Sequence, residues 1–83
     1  MEIFVATPEK RVFSGEVDGV SVVAEKGQLE ILPRHANLIT LVKEGPLVIR
    51  SSATTTQKFL VSDGVLKIED GRISVLCRNV AAA

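Results

Sequence analysis

The sequence predicts a small all-β domain, either a sandwich or a barrel, from two observations. Apolar and polar side chains alternate with the strand period of two, most clearly in residues 28–31, 67–69 and 72–75. Turn-forming dipeptides interrupt the chain at intervals of about 8 to 12 residues, which is typical of sandwiches and barrels. β-branched residues dominate the segments between them, as suits a pleated surface covered on one side. The interrupting dipeptides are Thr7-Pro8, Asp18-Gly19, Lys26-Gly27, Gly45-Pro46, Asp63-Gly64 and Asp70-Gly71.

The clearest local prediction is a β-hairpin around Asp70-Gly71. A two-residue hairpin turn needs positive φ angles, which Asp tolerates and Gly adopts freely. With the turn at this position, Leu66 and Ile68 should lie opposite Ile73 and Val75.

Two further turns follow from the same reasoning. Asp63-Gly64 is predicted to join 59–61 to 65–66, which would give a three-stranded meander at the C-terminal end. Lys26-Gly27 is predicted to close another hairpin. Only residues 37–43 could form a helical turn, and Gly45-Pro46 would end it almost at once, so no helix of ordinary length is expected.

Length and composition indicate one domain over residues 1–83. The chain has 83 residues, 46% of them hydrophobic and 24% charged, which is typical of a globular fold. Ten basic and ten acidic residues cancel, so no net charge draws the chain to nucleic acid or anionic lipid. The apolar runs are far shorter than the roughly 20 residues that span a bilayer, so bilayer insertion is not expected.

The inventory of reactive side chains argues against an enzyme or a metal protein. The sequence has one His, one Cys and no Tyr or Trp, and it lacks zinc-ligand pairs, a P-loop and a dinucleotide fingerprint. His35 is interpreted as a loop imidazole satisfied by the backbone or solvent. Cys77 alternates with Ile73 and Val75 and is predicted to be a buried, inert thiol. We therefore expect no catalytic, cofactor-binding or metal-binding residue.

Two segments carry aliphatic groups on both faces of a strand, residues 20–24 and 59–61. An antiparallel sheet with one solvated face would leave one side of each strand polar. Two alternatives stay open for these segments: both faces are covered within the domain, or one face is an interface.

Several motifs together resemble the N-terminal domain of the epsilon subunit of the F-type ATP synthase. Residues 26–36, Lys-Gly-Gln-Leu-Glu-Ile-Leu-Pro-Arg-His-Ala, resemble its signature, in which an acidic Gly-rich hairpin runs into a Leu-Pro-Gly-His-Ala-Pro loop. Residues 7–17 are similar to the family's opening segment, including its Phe-Ser-Gly step. Residues 61–68 and 73–76 resemble its Ser-Gly-Gly hairpin and its closing strand, so the resemblance extends from residue 3 to about residue 76.

The resemblance implies a two-sheet antiparallel β-sandwich of about ten short strands. It implies a non-catalytic central-stalk subunit that docks on the gamma subunit and rests on the membrane c-ring, coupling rotation to proton flow during ATP synthesis. The location implied is the cytoplasmic face of the bacterial inner membrane or its organellar equivalent. By motif, the gamma contacts fall on Thr7 and His35. The c-ring contacts fall on Glu25, Lys26, Gly27 and Gln28.

The sequence departs from the family pattern at three positions. Gln28 replaces a frequent Glu, which removes one charge-assisted hydrogen bond to a basic ring loop. Arg34 replaces the usual Gly and adds a cation nearby, and Asn37 replaces the usual Pro. Family members usually continue into a two-helix domain that can brake ATP hydrolysis and sometimes binds ATP. Because this sequence ends at Ala83, we expect neither braking nor ATP binding from this polypeptide.

Two other classes of protein are kept as alternatives. A lipoyl or biotinyl carrier is also a small all-β domain, and Lys26 on its tight hairpin would be the modified residue. A small enzyme using His35 is the third class. Exposed aliphatic faces without their partner are also expected to permit self-association of the isolated chain.

Overall fold

A computed structural model describes all 83 residues, which form eight β-strands and no helix. The strands are β1 (Glu2–Ala6), β2 (Arg11–Glu16), β3 (Gly19–Ala24), β4 (Gly27–Ile31), β5 (Leu38–Val42), β6 (Gly45–Arg50), β7 (Thr56–Glu69) and β8 (Arg72–Ala82). No helix is therefore long and apolar enough to cross a membrane. The predicted all-β fold is confirmed.

Two sets of strands face each other across one core, and the long hairpin β7–β8 belongs to both. One set runs β2, β1, β8, β7, β5; in the other, β6 pairs with β7 and β3, and β3 pairs with β4. The first half of β7 (56–61) pairs with β6, and its second half (64–68) pairs with β5. Both halves pair with β8 on the other edge.

Strand β7 passes from one layer to the other at a bend at Asp63. Before the bend Val61 points into the core, and after it Leu66 and Ile68 do, so the inward positions shift from odd to even numbers. Asp63 has φ of 54°, a left-handed conformation in the middle of a strand. Counting the halves of β7 and β8 separately gives the ten short segments that were expected.

The predicted turn at Asp63-Gly64 is wrong. The positive φ expected there is present, but the chain continues in the same direction because β8 stays paired on both sides of the bend. The C-terminal end is therefore one long hairpin rather than a three-stranded meander. Residues 37–43 likewise contain strand β5 instead of a helical turn.

The other two hairpins are confirmed. Asp70 and Gly71 have φ of 51° and 81°, and the turn places Ile68 opposite Ile73 and Leu66 opposite Val75. The β3–β4 hairpin pairs Ala24 with Gly27, so its two turn residues are Glu25 and Lys26 rather than the predicted Lys26 and Gly27.

One strand pair departs from the antiparallel arrangement. β1 runs parallel to β8, with Ile3 beside Ile73 and Val5 beside Val75. All the other strand pairs are antiparallel. A tight turn cannot join two parallel strands, and here strands β2 to β7 lie between β1 and β8 in the sequence.

The core is one cluster of apolar side chains contributed by both layers. It contains no buried polar or charged residue. Cys77 is 2% exposed within it, and burial raises the pKa of its thiol from 9.0 to about 11. The predicted burial of Cys77 is confirmed, and its low reactivity stays a prediction. The members of the cluster are Ile3, Val5, Val17, Val20, Val22, Ile31, Val42, Leu47, Ile49, Val61, Leu66, Ile68, Ile73, Val75 and Cys77.

Candidate functional site

An apolar surface lies on the outer face of the first layer, and we call it the docking face. Three of its side chains form one row across adjacent strands, since Leu41 lies opposite Val65 and Val65 opposite Leu76. They are 46%, 43% and 53% exposed. The next row has Ile39, which is 69% exposed, at one end and Phe4 of β1 at the other, with Lys67 and Ser74 between them. These five residues, Phe4, Ile39, Leu41, Val65 and Leu76, define the docking face.

Register explains why these side chains face outwards together. Strand partners point to the same side of a sheet, and alternate residues on each strand point to opposite sides. The neighbours Val42, Leu66 and Val75 therefore fill the core while the docking face remains exposed. Large apolar side chains clustered on one exposed face are the mark of an interaction surface.

Charged groups lie in the rows of this face that are nearer the β7–β8 turn, and beside Phe4. The Arg11 guanidinium lies over the Phe4 ring, 5.6 Å from its centroid, a cation–π contact that covers part of the ring. In the row beyond Phe4, Arg72 pairs with Glu2 at 3.7 Å, and Lys67, which lies beside Ile39 on β7, pairs with Glu69 at 3.2 Å. The face is thus apolar at its centre and ionic at one end, like the core and rim of a protein interface.

Thr7 lies at one end of the docking face. It follows β1 and holds the turn to β2, because its Oγ1 accepts hydrogen bonds from the backbone N–H groups of Glu9 and Lys10 at 3.3 and 3.2 Å. It lines a shallow cavity of about 300 Å³ together with Leu76, so it borders the apolar row directly.

His35 lies in the β4–β5 loop, near the opposite end. Its backbone N–H donates to the Leu32 carbonyl at 3.1 Å, and its Nδ1–H donates to the Ala36 carbonyl at 2.8 Å. The interpretation of His35 as a loop imidazole satisfied by the backbone is therefore confirmed. The loop is held to the β7–β8 turn because Asn37 Oδ1 accepts a hydrogen bond from the Asp70 N–H at 3.0 Å.

Thr7 and His35 do not form one compact site. β1 and β8 run parallel, so Thr7 is beside the Leu76 end of the layer, whereas the loop of His35 is fixed at the end where β8 begins. The docking face lies between them. The two predicted contacts can therefore flank one extended surface.

The predicted ring contacts form a second surface at the β3–β4 hairpin tip. Glu25, Lys26, Gly27 and Gln28 are all exposed. The Gln28 side-chain amide donates to Ser21 Oγ across the hairpin, so this side chain is oriented within the domain. Glu25 and Lys26 have no ion-pair partner in the chain, and their charges are open to an outside group.

For the two aliphatic segments, the sequence left two alternatives open, coverage of both faces within the domain or an interface on one face. In residues 20–24, the side chains of Val20, Val22 and Ala24 fill the core and Val23 is half-buried, so both faces of this segment are covered. In residues 59–61 only Leu60 is strongly exposed, on the outer face of the other layer. The signal that could have found the docking face is aliphatic residues at outward positions of β5, β7 and β8.

No group of His, Cys, Asp and Glu side chains comes together that could hold a metal ion. The cavities of the surface are shallow, about 270 to 380 Å³, and they are lined by strand residues rather than by converging catalytic groups.

Comparison with known proteins identifies the family. A family model described as "ATP synthase, Delta/Epsilon chain, beta-sandwich domain" matches residues 1–83. The ATP synthase epsilon chain of Desulforamulus reducens is 42% identical over 79 residues, which cover 95% of this chain and 59% of that relative. The chain therefore spans less than two thirds of the length of this relative.

Two solved structures share the fold. A chain of the central stalk and c-ring of the Tetrahymena thermophila mitochondrial ATP synthase matches with a TM-score of 0.83 at 17% identity, covering 98% of this chain and 65% of that one. A chain of the Euglena gracilis mitochondrial ATP synthase matches with a TM-score of 0.89 at 13% identity, covering 96% and 51%. With the family model matching every residue, the chain belongs to the ATP synthase delta/epsilon family, as its β-sandwich domain.

Proposed function

We propose that this chain is a non-catalytic part of the central stalk of an ATP synthase, joining the rotating gamma subunit to the membrane c-ring. In this role residues 1–83 act as one rigid domain, and no chemistry occurs on them. The domain transmits torque and resists slippage between the two partners while proton flow drives ATP synthesis. It would lie at the cytoplasmic face of the bacterial inner membrane, or at the organellar equivalent, as a peripheral part of the complex.

The observation that carries this proposal is the continuous apolar row Leu41–Val65–Leu76. A single exposed leucine is common on protein surfaces, but three apolar side chains aligned on adjacent strands form one contiguous apolar patch, whose exposure to water is unfavourable. A contiguous patch of this kind suits a partner that stays bound in one orientation. The gamma subunit would cover this face, with Thr7 and His35 at its two ends.

The hairpin tip supplies the second contact in this proposal. Glu25, Lys26, Gly27 and Gln28 would rest on the polar loops of the ring. Their exposure and the unpaired charges of Glu25 and Lys26 support this assignment. A carrier function on Lys26 is the alternative, and the intact mass of the protein separates the two because a lipoyl or biotinyl adduct adds mass to Lys26.

The test measures binding to purified gamma subunit by size exclusion and calorimetry. Full burial of a leucine contributes about 1.5–3 kcal/mol, so covering the exposed half of Leu76 should contribute about 1 kcal/mol. Leu76→Ser is then expected to raise the Kd about fivefold, and the triple change of Leu41, Val65 and Leu76 to Ser about a hundredfold.

Leu60→Ser is the matched control. Leu60 is 52% exposed, almost the same as Leu76, but it lies on the outer face of the other layer. Its substitution should leave the Kd within about twofold of the unchanged protein. Equal losses for Leu60→Ser and Leu76→Ser, or no complex with gamma from a folded sample, would contradict the proposed function.

A further inference from the structure

Strand β5 has one open edge. It pairs with β7 along its whole length, from Leu38 to Val42. On its other edge only Val42 has a strand partner, Ala24 of β3. The hairpin β3–β4 diverges from β5 beyond that pair, so the outer edge of residues 38–41 has no strand beside it.

The backbone groups on this edge can be assigned from one hydrogen bond. The Lys43 N–H donates to the Val23 carbonyl at 2.8 Å, so at the end of β5 this N–H points away from β7. Backbone groups of successive residues in an antiparallel strand point to opposite edges. The N–H groups of Leu41 and Ile39 therefore point to the open edge, whereas those of Leu38 and Thr40 point to β7.

The sequence of β5 lacks the protective residues that free strand edges usually carry. Proteins discourage unwanted pairing with charged residues, Pro, bulges or very short strands. The two strands that end the sheet have such features: β2 contains Arg11 and Glu16, and β4 contains Glu30. The sequence of β5, Leu-Ile-Thr-Leu-Val, has no charge, Gly or Pro.

A groove lies along this edge. Its cavity of about 270 Å³ is bounded on one side by Leu38, Ile39 and Thr40 and on the other by the hairpin residues 24–29. One extended segment would have the β5 edge on one side and the hairpin on the other. A second copy of the domain fits less well, because its own β5 edge is flanked by its own hairpin.

We propose that the open edge of β5 binds an extended segment of the partner protein as an additional β-strand. Ile39 and Leu41 belong both to this edge and to the docking face, so a strand added here would continue that face without a gap. The segment is one with apolar side chains at alternate positions, which would cover Ile39 and Leu41. Its source is the gamma subunit, so this inference rests on the proposed function.

Amide hydrogen exchange followed by NMR tests the proposal on the whole chain, alone and with purified gamma subunit. In the free chain the amides of Ile39 and Leu41 should exchange quickly, and those of Leu38 and Thr40 slowly. In the complex the exchange of Ile39 and Leu41 should slow by at least about tenfold, with Leu38 and Thr40 unchanged.

The possible outcomes separate the two ideas. If a complex forms and Ile39 and Leu41 exchange as quickly as before, the added strand is refuted while docking of the face remains. If no complex forms, the proposed function fails and the added strand fails with it. Protection of Ile39 and Leu41 that rises with the concentration of the chain alone would identify a second copy as the occupant and overturn the proposal.

A pair of substitutions gives an independent readout. Ile39→Pro removes the outward N–H, at an edge position where proline does not interrupt the pairing with β7. Ile39→Ala keeps the N–H and removes the same apolar side chain. We expect the Kd for gamma to rise about tenfold more for Ile39→Pro than for Ile39→Ala. Only the proline removes a backbone hydrogen bond and prevents the added strand from approaching closely. Equal affinities in folded variants would refute the added strand.

Discussion

Replacement of Gly64 by alanine should destabilise the domain strongly. Gly64 lies on β7 opposite Cys77, immediately after the bend at Asp63. A Cβ atom at this position would meet the Cys77 Sγ at 2.3 Å, the Leu76 carbonyl oxygen at 2.7 Å and the Cys77 Cα at 3.1 Å. The thiol can rotate away, but the carbonyl and the Cα belong to the β7–β8 ladder and can move only if the ladder moves.

The contacts set the expected size of the effect. Overpacking a core costs about 1–3 kcal/mol, and contacts with backbone atoms place this substitution at about 3 kcal/mol. A domain of 83 residues has a free energy of unfolding of about 4–12 kcal/mol. With a urea m-value of about 1 kcal/mol/M, the unfolding midpoint should fall by about 3 M.

Urea unfolding followed by circular dichroism measures this change, and two variants act as controls. Gly71→Ala introduces a residue at φ of 81° but meets no atom within 4 Å, so it should cost only about 1 kcal/mol from backbone strain. Adding Cys77→Ala to Gly64→Ala removes the contact with sulfur but not that with the carbonyl, so the double variant should lose less than the sum of the single changes. A Gly64→Ala variant no less stable than Gly71→Ala would refute the reasoning.

Three further predictions concern the loop, the thiol and the turn. Arg34 has φ of 73°, where L-residues are strained, so Arg34→Gly should raise the free energy of unfolding by about 0.5–1 kcal/mol while Arg34→Ala should not; a gain for Ala of the same size would contradict strain as the cause. Since burial raises the pKa of Cys77 from 9.0 to about 11, its thiol should react slowly with a disulfide reagent at pH 8 until the protein unfolds. The proton is held more tightly in the folded state, so the associated stability is complete below pH 9 and is lost towards pH 11; Cys77→Ala should lack this loss in urea titrations at each pH. Asn37→Ala removes the hydrogen bond to the Asp70 N–H and should cost about 0.5–1.5 kcal/mol, whereas Asn37→Asp, which keeps an acceptor oxygen, should retain most of the stability in the same assay.

The predictions that were confirmed depend on residues close together in sequence. The Asp70-Gly71 turn fixes the register of β7 on β8, because a two-residue turn leaves only one pairing of the strands that enter and leave it. Period-two alternation predicted that Cys77 lies in the core, because residues two apart on a strand point to the same side and Ile73 and Val75 point inwards. The contact roles that the family motifs imply for Thr7, His35 and the hairpin at Glu25 stay predictions.

The failure at Asp63-Gly64 shows the limit of local reasoning. The two residues have the chemistry of a turn, and Asp63 does adopt a positive φ. Whether such a site reverses the chain or only bends it depends on which strands pair on either side, here β6 before it and β5 after it. Those partners are distant in sequence, so the residues around Asp63 do not determine whether the chain reverses or bends there.

The sequence by itself determined the all-β class, the tight hairpins and the family, since each depends on short-range patterns or on motifs in a fixed order. Only the tertiary structure decided the parallel pair β1–β8, the shared long hairpin and the docking face. Leu41, Val65 and Leu76 become neighbours because three strands align in one register, and the open edge of β5 exists because β3 turns away from it. Surfaces of this kind arise from the pairing of distant strands, and the outward aliphatic residues of one strand do not show which strands will lie beside it.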